Sequence, residues 1–459
     1  MPTRVDVRAL VRGPAIAGLA VAVVLMLLAG LIPAMFNWNV HMRSWPPLHA
    51  YWDPRVGPGT APAVLIAVLG VIYAARFAQT ASWRMLLLGS YGTALAWLAS
   101  LALVDGNSGI GVILNYKYEY LNTARMIDSW SALSTMLHEY VARIDADHPH
   151  NWPTHIAGHP PGAVMFFIAL VAIGLGSGLA AGWVVIIVSS TTAVAVLQTL
   201  RVLGQEDVAR RAAPFLVLGP AAIWMAVSAD AVFGTVAAWG TCCLAVAATR
   251  SATKATALWS VLAGLLLGYC VMMSYGLALL AVLAVAVLVI TRRWAPLAWV
   301  AGAGLAVLLA FYAAGFAWWD GLPALHVRQF RGVAASRPQQ YYLWGNLAAL
   351  AWSAGPVMYS GLAVLVGRRC SSWREILAAR SGALASTRVI ALLSLAGVAM
   401  VLGADVSGAS RGEVERIWLP FVPWLLVATA LLPRPWRRVG LVLQVTVALL
   451  AQHMLHSDW

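Results

Sequence analysis

Acidic, imidazole and guanidinium side chains are scarce in this chain, and they gather. His155 and His159 stand four residues apart in THIAGHPPGAVMFF (154–167), where a polar loop ends on two prolines and an apolar run begins. Asp105 opens the same loop, and Glu119 and Tyr120 lie in its middle, in YKYEYLNTAR. Asp230 sits between two apolar runs in GPAAIWMAVSADAVFGTVAAWG. Arg328, Arg331 and Arg337 occupy WWDGLPALHVRQFRGVAASRPQQYYLWGN, and Arg411, Glu413, Glu415 and Arg416 occupy GADVSGASRGEVERIWLPFVPWLL. Such carboxylates accept protons as general bases, and a planar guanidinium grips phosphate at two points. Each residue also has a plainer reading. Ser228 and Asp230 suit a helix N-cap, the arginines have loop acids such as Glu413 to pair with, and a lone loop histidine usually does no chemistry. His148, His150, His155 and His159 follow no recognised metal-ligand spacing, so no metal site is assigned.

The elements that must position these groups are membrane helices. Of 459 residues, 61% are hydrophobic and only 10% charged, and apolar runs of bilayer-spanning length recur from end to end. Lipid forces the backbone to satisfy itself within helices, which points to an all-α polytopic membrane protein. The run at 14–36 is too long for a signal peptide and leads into further spans, so it reads as the first helix. A net charge of +13 comes from basic residues scattered between apolar runs, which fits positive-inside bias and excludes a nucleic-acid-binding domain. Cys242, Cys243, Cys270 and Cys370 show no disulfide framework or zinc spacing.

About 12–14 transmembrane helices are expected, near 14–36, 62–77, 85–104, 161–200 (one or two), 212–229, 231–249, 256–273, 275–291, 296–318, 341–366, 389–404, 418–433 and 438–455. The chain divides into N-terminal transmembrane helices (1–104), an outer loop (105–160) and a helix bundle (161–459). Arg4, Arg8 and Arg12 place the N-terminus in the cytoplasm. On that topology 20 of the 30 Lys and Arg residues fall inside, while all ten histidines and 13 of the 17 acids fall outside. Residues 161–200 must cross an odd number of times, yet GLGSGLAAG splits them, which favours one partial or re-entrant run. In the outer loop, Tyr118, Leu121, Ala124, Ile127, Leu133, Leu137 and Tyr140 recur at three-to-four spacing. That argues for amphipathic helices on the membrane surface, either covering an outer cavity or capping the bundle.

Five fragments, in order from about 105 to 430, resemble the GT-C superfamily of polyprenyl-phosphate-sugar-dependent glycosyltransferases. GHPPG looks like the motif that closes that family's first large outer loop. YEYLNTAR resembles the tyrosine-leucine-to-alanine-arginine stretch of its protein-mannosyltransferase-like members. GPAAIWMAVSADAVFGTVAAWG, GLLLGYCVMMSYGLALLAVLAV and ERIWLPFVPWLL are similar to three further segments, with Ser274 where lysine is frequent. The family's acid shortly before the loop tyrosine is replaced by NYKY here, and Asp53 lies in an additional outer loop.

The resemblance implies transfer of a sugar, mannose or arabinose, from a polyprenyl phosphate to a glycan, lipid or protein acceptor outside the plasma membrane, in envelope assembly. Asp105 or Glu119 would be the base, Asp105 slightly ahead because a span opens into the loop there. Arg416, with Arg328 or Arg331, would hold the phosphate, and Tyr120 and Asp230 would line the substrate site. His159 would bind phosphate, position the acceptor or contribute to a divalent-metal site. Displacement would invert the anomeric centre. The rival reading is a transporter or flippase of a lipid-linked or small polar substrate, for which inverted repeats would be expected; none is visible. A non-catalytic scaffold for envelope assembly is the third.

Overall fold

The computed structural model describes residues 7–43, 45, 47–367 and 373–457. Arg4 and Cys370 lie outside them. Among the described residues the chain is mainly helical, with one two-stranded antiparallel ribbon in which Ala50–Trp52 pairs with Leu455–Ser457. Among the described residues eight helices are long and apolar enough to cross a membrane, or up to nine with one bent pair. Three shorter apolar helices accompany them, Gly162–Ala172, Tyr275–Thr291 and Val422–Leu431. The protein is therefore an all-α polytopic membrane protein.

Several expected spans are broken, each at a residue that cannot continue a helix. The path across 206–229 is the Glu206–Val217 helix, a turn at Gly219 and Pro220, and the short Ala222–Met225 helix. Trp97 donates its indole N–H to the buried Gly219 carbonyl oxygen at 3.3 Å, satisfying a backbone group freed by the break. Gln339–Ser353 and Val357–Val366 are bent by 110° at their junction. There Gly355 takes φ +83°, Pro356 follows it, and Gln444 donates to the Ala354 carbonyl oxygen at 2.9 Å.

The 161–200 segment resolves as a partial run followed by one span. Gly162–Ala172 has 11 residues, about 17 Å of helix against a ~30 Å hydrocarbon core. Its start packs on Met272, and the carbonyl oxygen of Gly176, just past its end, accepts from Arg125 of the 105–160 loop. Both of its termini thus lie at the loop end of the bundle, and Gly178–Val202 makes the crossing. In the loop itself, Leu121, Ala124, Leu137 and Tyr140 are buried while Met126 and Trp130 face outward. The three-to-four pattern packs the loop onto the bundle through Tyr120–Ala124 and Trp130–Glu139, the latter capped by Ser129.

Close helix contacts use small residues, since lipid supplies no hydrophobic drive between spans. Thr253–Met273 lies against Pro296–Ala313 so tightly that a Cβ on Gly264 would sit 2.4 Å from the Val300 carbonyl oxygen, and one on Gly268 2.8 Å from Gly304 Cα. Gly264→Leu is expected to lower stability by about 1–3 kcal/mol, read as the midpoint of thermal unfolding in detergent. Gly302→Leu, on the same pair but with open space beside it, should leave the midpoint unchanged. Equal effects would contradict this packing.

Candidate functional site

At the loop end, four separate segments converge on one buried guanidinium. Arg416 lies on the short Val414–Ile417 helix and is 5% exposed. Its Nη1 donates to Asp230 Oδ2 at 2.8 Å, and its Nη2 donates to Glu413 Oε2 at 2.9 Å and lies 3.1 Å from His155 Nε2. His155 Nδ1 is in turn 2.9 Å from Glu119 Oε1. The result is a continuous chain Glu119–His155–Arg416–Asp230, branching at Glu413 to Arg337 at 3.3 Å. Glu119, His155 and Asp230 are buried as well.

The local sequence explains how each member is held. Asp230 occupies the first turn of Ala229–Thr249, a helix capped by Ser228, whose hydroxyl accepts from the Ala231 N–H at 3.2 Å. The cap and the acid are thus both present, and the acid still reaches Arg416. Glu413 adopts a left-handed backbone (φ +63°), rare outside glycine, directly after Gly412 at φ +90°. The Gly412 N–H is anchored on Asn346 Oδ1 at 3.1 Å. This strained turn lets Glu413 and Arg416, three residues apart, meet. Glu119 precedes the Tyr120–Ala124 helix, which carries Tyr120 onto Phe167 in a stacked contact at 5.5 Å.

His159 sits beside the chain. Its Nδ1 is 2.8 Å from the His155 carbonyl oxygen and 2.9 Å from the Tyr120 hydroxyl oxygen. A carbonyl only accepts, so Nδ1 carries the proton and Nε2 presents a lone pair. Burial lowers the affinity of this imidazole for a second proton, and Asp230 only partly offsets that. Burial, with Asp230 and Glu119 nearby, raises the Tyr120 phenol well above its ordinary value, so it remains a neutral donor.

Charge around Arg416 is self-compensating. Burial works against its cation, but Asp230 and Glu413 more than restore it. Burial would raise the Glu413 carboxyl; Arg416 and Arg337 overcome this and hold it at about 2. Glu415 is different. Burial pushes it up to about 7, against a hydrogen bond to Oε1 from the His49 backbone N–H at 3.2 Å.

Of the residues expected from sequence, Glu119, Tyr120, His159, Asp230 and Arg416 come together. Asp105 does not. It is ion-paired with Arg55 and accepts from Gln452 at 3.0 Å, tying the loop entrance to the C-terminal helix beside the Ala50–Trp52 ribbon. Arg328 is spent on the carbonyl oxygens of Ile144 (2.7 Å) and Trp152 (2.9 Å), and Arg331 is exposed at a helix end. His155, Glu413 and Arg337 are further members, named among the scarce charged groups of the sequence but given no role there. Their signal was spacing: His155 lies one helical turn before His159, and Glu413 one turn before Arg416. No group of three or more metal-ligating side chains occurs among the described residues. Comparison with known protein families, curated proteins and solved structures finds no match.

Arg416→Met strands the buried Asp230 carboxylate and leaves Glu413 only Arg337, and should cost about 3–5 kcal/mol, with Arg416→Met/Asp230→Asn recovering part of the loss. A double variant no better than the single one would contradict the pairing. Glu415 makes a pH prediction. Its folded value lies above the unfolded 4.5, so its contribution is complete below 4.5 and is lost as pH rises through about 7. The unfolding midpoint should fall over that window in the wild type, and Glu415→Gln should remove that part of the fall.

Proposed function

We propose that this protein is a GT-C-like membrane glycosyltransferase that moves a sugar from a polyprenyl phosphate to an acceptor hydroxyl at the extracytoplasmic face of the plasma membrane. The observation that carries the reading is the buried Glu119–His155–Arg416–Asp230 chain at the mouth of the bundle. Ionisable groups are expensive in a membrane protein and mark functional sites by default. The side is inferred from charge: the opposite end holds the arginines between spans, including Arg201, Arg210, Arg250, Arg292 and Arg293.

In this mechanism Glu119 is the base. Its Oε1 is fixed by His155, while Oε2 is buried without a hydrogen-bond partner. The acceptor oxygen attacks the anomeric carbon as its proton passes to Glu119. The bond from that carbon to the phosphate oxygen breaks, and the polyprenyl phosphate leaves with the electron pair. Arg416 sits between two carboxylates, so it orients Asp230, Glu413 and His155 rather than supplying free positive charge. The His159 Nε2 lone pair suits it to position the acceptor hydroxyl. The sugar and acceptor follow from the family resemblance alone, with mannose or arabinose and a cell-envelope glycan, lipid or protein as the candidates.

A transporter or flippase is the second reading, favoured by the 110° break between Gln339–Ser353 and Val357–Val366, since broken helices serve transport sites. Purified protein given a radiolabelled polyprenyl-phosphate sugar should transfer label to an acceptor. Glu119→Gln should slow transfer by about 10²–10⁴-fold, the usual worth of a positioned base. Asp105→Asn should retain transfer and lower only the unfolding midpoint. Label crossing proteoliposomes chemically unchanged, without transfer, would support transport and overturn the enzyme.

A further inference from the structure

The end of the bundle opposite Glu119 holds a cluster of positive charge that sugar transfer does not use. The Arg434–Met454 helix fixes its location. Gln452, near that helix's C-terminus, reaches Asp105 at the loop entrance, and Arg434 lies 18 residues earlier, about 27 Å away along the axis. The Glu206–Val217 helix starts at this end too, just after the Gly178–Val202 span has crossed from the loop end. The two helices touch where Gly440 meets Phe215: a Cβ on the glycine would lie 3.4 Å from Phe215 Cε1. One turn nearer their starts, on the same faces, stand Arg437 and Arg211.

That contact brings like charges together. Burial, and then the charges of Arg211 and Arg434, lower the Arg437 guanidinium from its ordinary value. Arg437 and Arg211 are half-buried, and Arg434 is exposed at the helix start. Among the described residues no carboxylate pairs with any of the three. Glu206 is taken by Arg201 and Arg210, and Arg211 Nε donates to the Asp207 backbone carbonyl oxygen at 3.1 Å rather than to its carboxylate. Arg437 Nε donates to the Leu432 carbonyl oxygen at 2.9 Å. Both guanidiniums are thus steadied through Nε and keep their two Nη groups unused. The positive end of the Arg434–Met454 helix dipole adds to the same potential. Positive-inside bias puts arginines at this end. It does not require three of them to converge without a counter-ion.

We propose that Arg211, Arg434 and Arg437 form a binding site for a phosphate group bearing two or more negative charges, a phosphomonoester or a diphosphate. Three cations exceed what a single carboxylate neutralises. A multiply charged phosphate matches them, since its several oxygens accept from the forked Nη groups of more than one arginine. The bound anion turns a mutually repulsive cluster into a compensated one. A lipid headgroup at the membrane edge and a soluble phosphate offer the same chemistry to this site.

The test places the full chain in phosphatidylcholine nanodiscs and titrates it calorimetrically with pyrophosphate. In a second arm the nanodiscs also contain phosphatidic acid, and the lipid retained is counted by native mass spectrometry. The wild type should bind pyrophosphate, which assigns a soluble ligand, or retain phosphatidic acid in preference to phosphatidylcholine, which assigns a headgroup. Arg437→Gln and Arg211→Gln should each weaken that binding about tenfold, the usual worth of a charge-assisted hydrogen bond. Arg434 has no hydrogen bond to lose, so Arg434→Gln should weaken binding with an unchanged unfolding midpoint, which separates the site from misfolding. Arg250→Gln removes the same charge from the same end, outside the cluster, and should leave binding intact. Binding in neither arm would overturn the site, as would equal weakening by Arg250→Gln. Each readout is independent of sugar transfer.

Discussion

A guanidinium withdrawn from water must be met by anions, and much of the loop end of this protein is arranged around that requirement. Taking a charge into a low-dielectric interior costs several kcal/mol even after relaxation, unless partners satisfy it. Arg416 obtains them from near and far in the chain: Glu413 three residues away on a left-handed turn, Asp230 at the start of a span, and His155 from the surface loop. The loop is thereby joined to the bundle through a polar contact as well as through Leu121, Ala124 and Tyr140. Removing the arginine would leave its partners mutually repulsive, so the network behaves as one unit.

The same requirement shapes what chemistry the site can perform. With Arg416 balanced by Asp230 and Glu413, and Glu413 shared with Arg337, the positive charge near Glu119 is already paired. The groups left open to accept a proton are the unpartnered Oε2 of Glu119 and the Nε2 of His159. That composition suits activation of a hydroxyl. The acid that sequence position favoured, Asp105, instead belongs to a mechanical contact in which Arg55 and Gln452 fasten the N- and C-terminal parts together.

Much of the fold was legible because lipid leaves the sequence few options: long apolar runs have to be helices. The breaks were not anticipated: 212–229 and 341–366 were expected as single spans, although Gly219–Pro220 and Gly355–Pro356 lie within them. The partial run expected within 161–200 is Gly162–Ala172; which of the two runs it would be was not legible, since its turn is anchored by Arg125 through contacts distant in sequence. At the site, Glu119, Tyr120, His159, Asp230 and Arg416 were singled out as rare ionisable or motif-bearing residues, and they do meet. Asp105 and Arg328 looked equivalent to them. Their partners, Arg55 and Gln452 for one and the Ile144 and Trp152 carbonyls for the other, have no sequence signature. Glu413 was visible only as loop charge, because its role depends on a backbone angle that the preceding glycine permits but does not dictate.

The proposal of glycosyl transfer stands or falls on where the donor binds. A cryo-electron-microscopy structure of the full chain with a non-hydrolysable polyprenyl-phosphate sugar addresses this most directly. The account predicts density for the sugar against Glu119 and His159, with the anomeric carbon facing the Glu119 carboxylate. Donor bound beside Asp105 and Arg55, or anywhere that leaves the Glu119–His155–Arg416–Asp230 chain untouched, would contradict it.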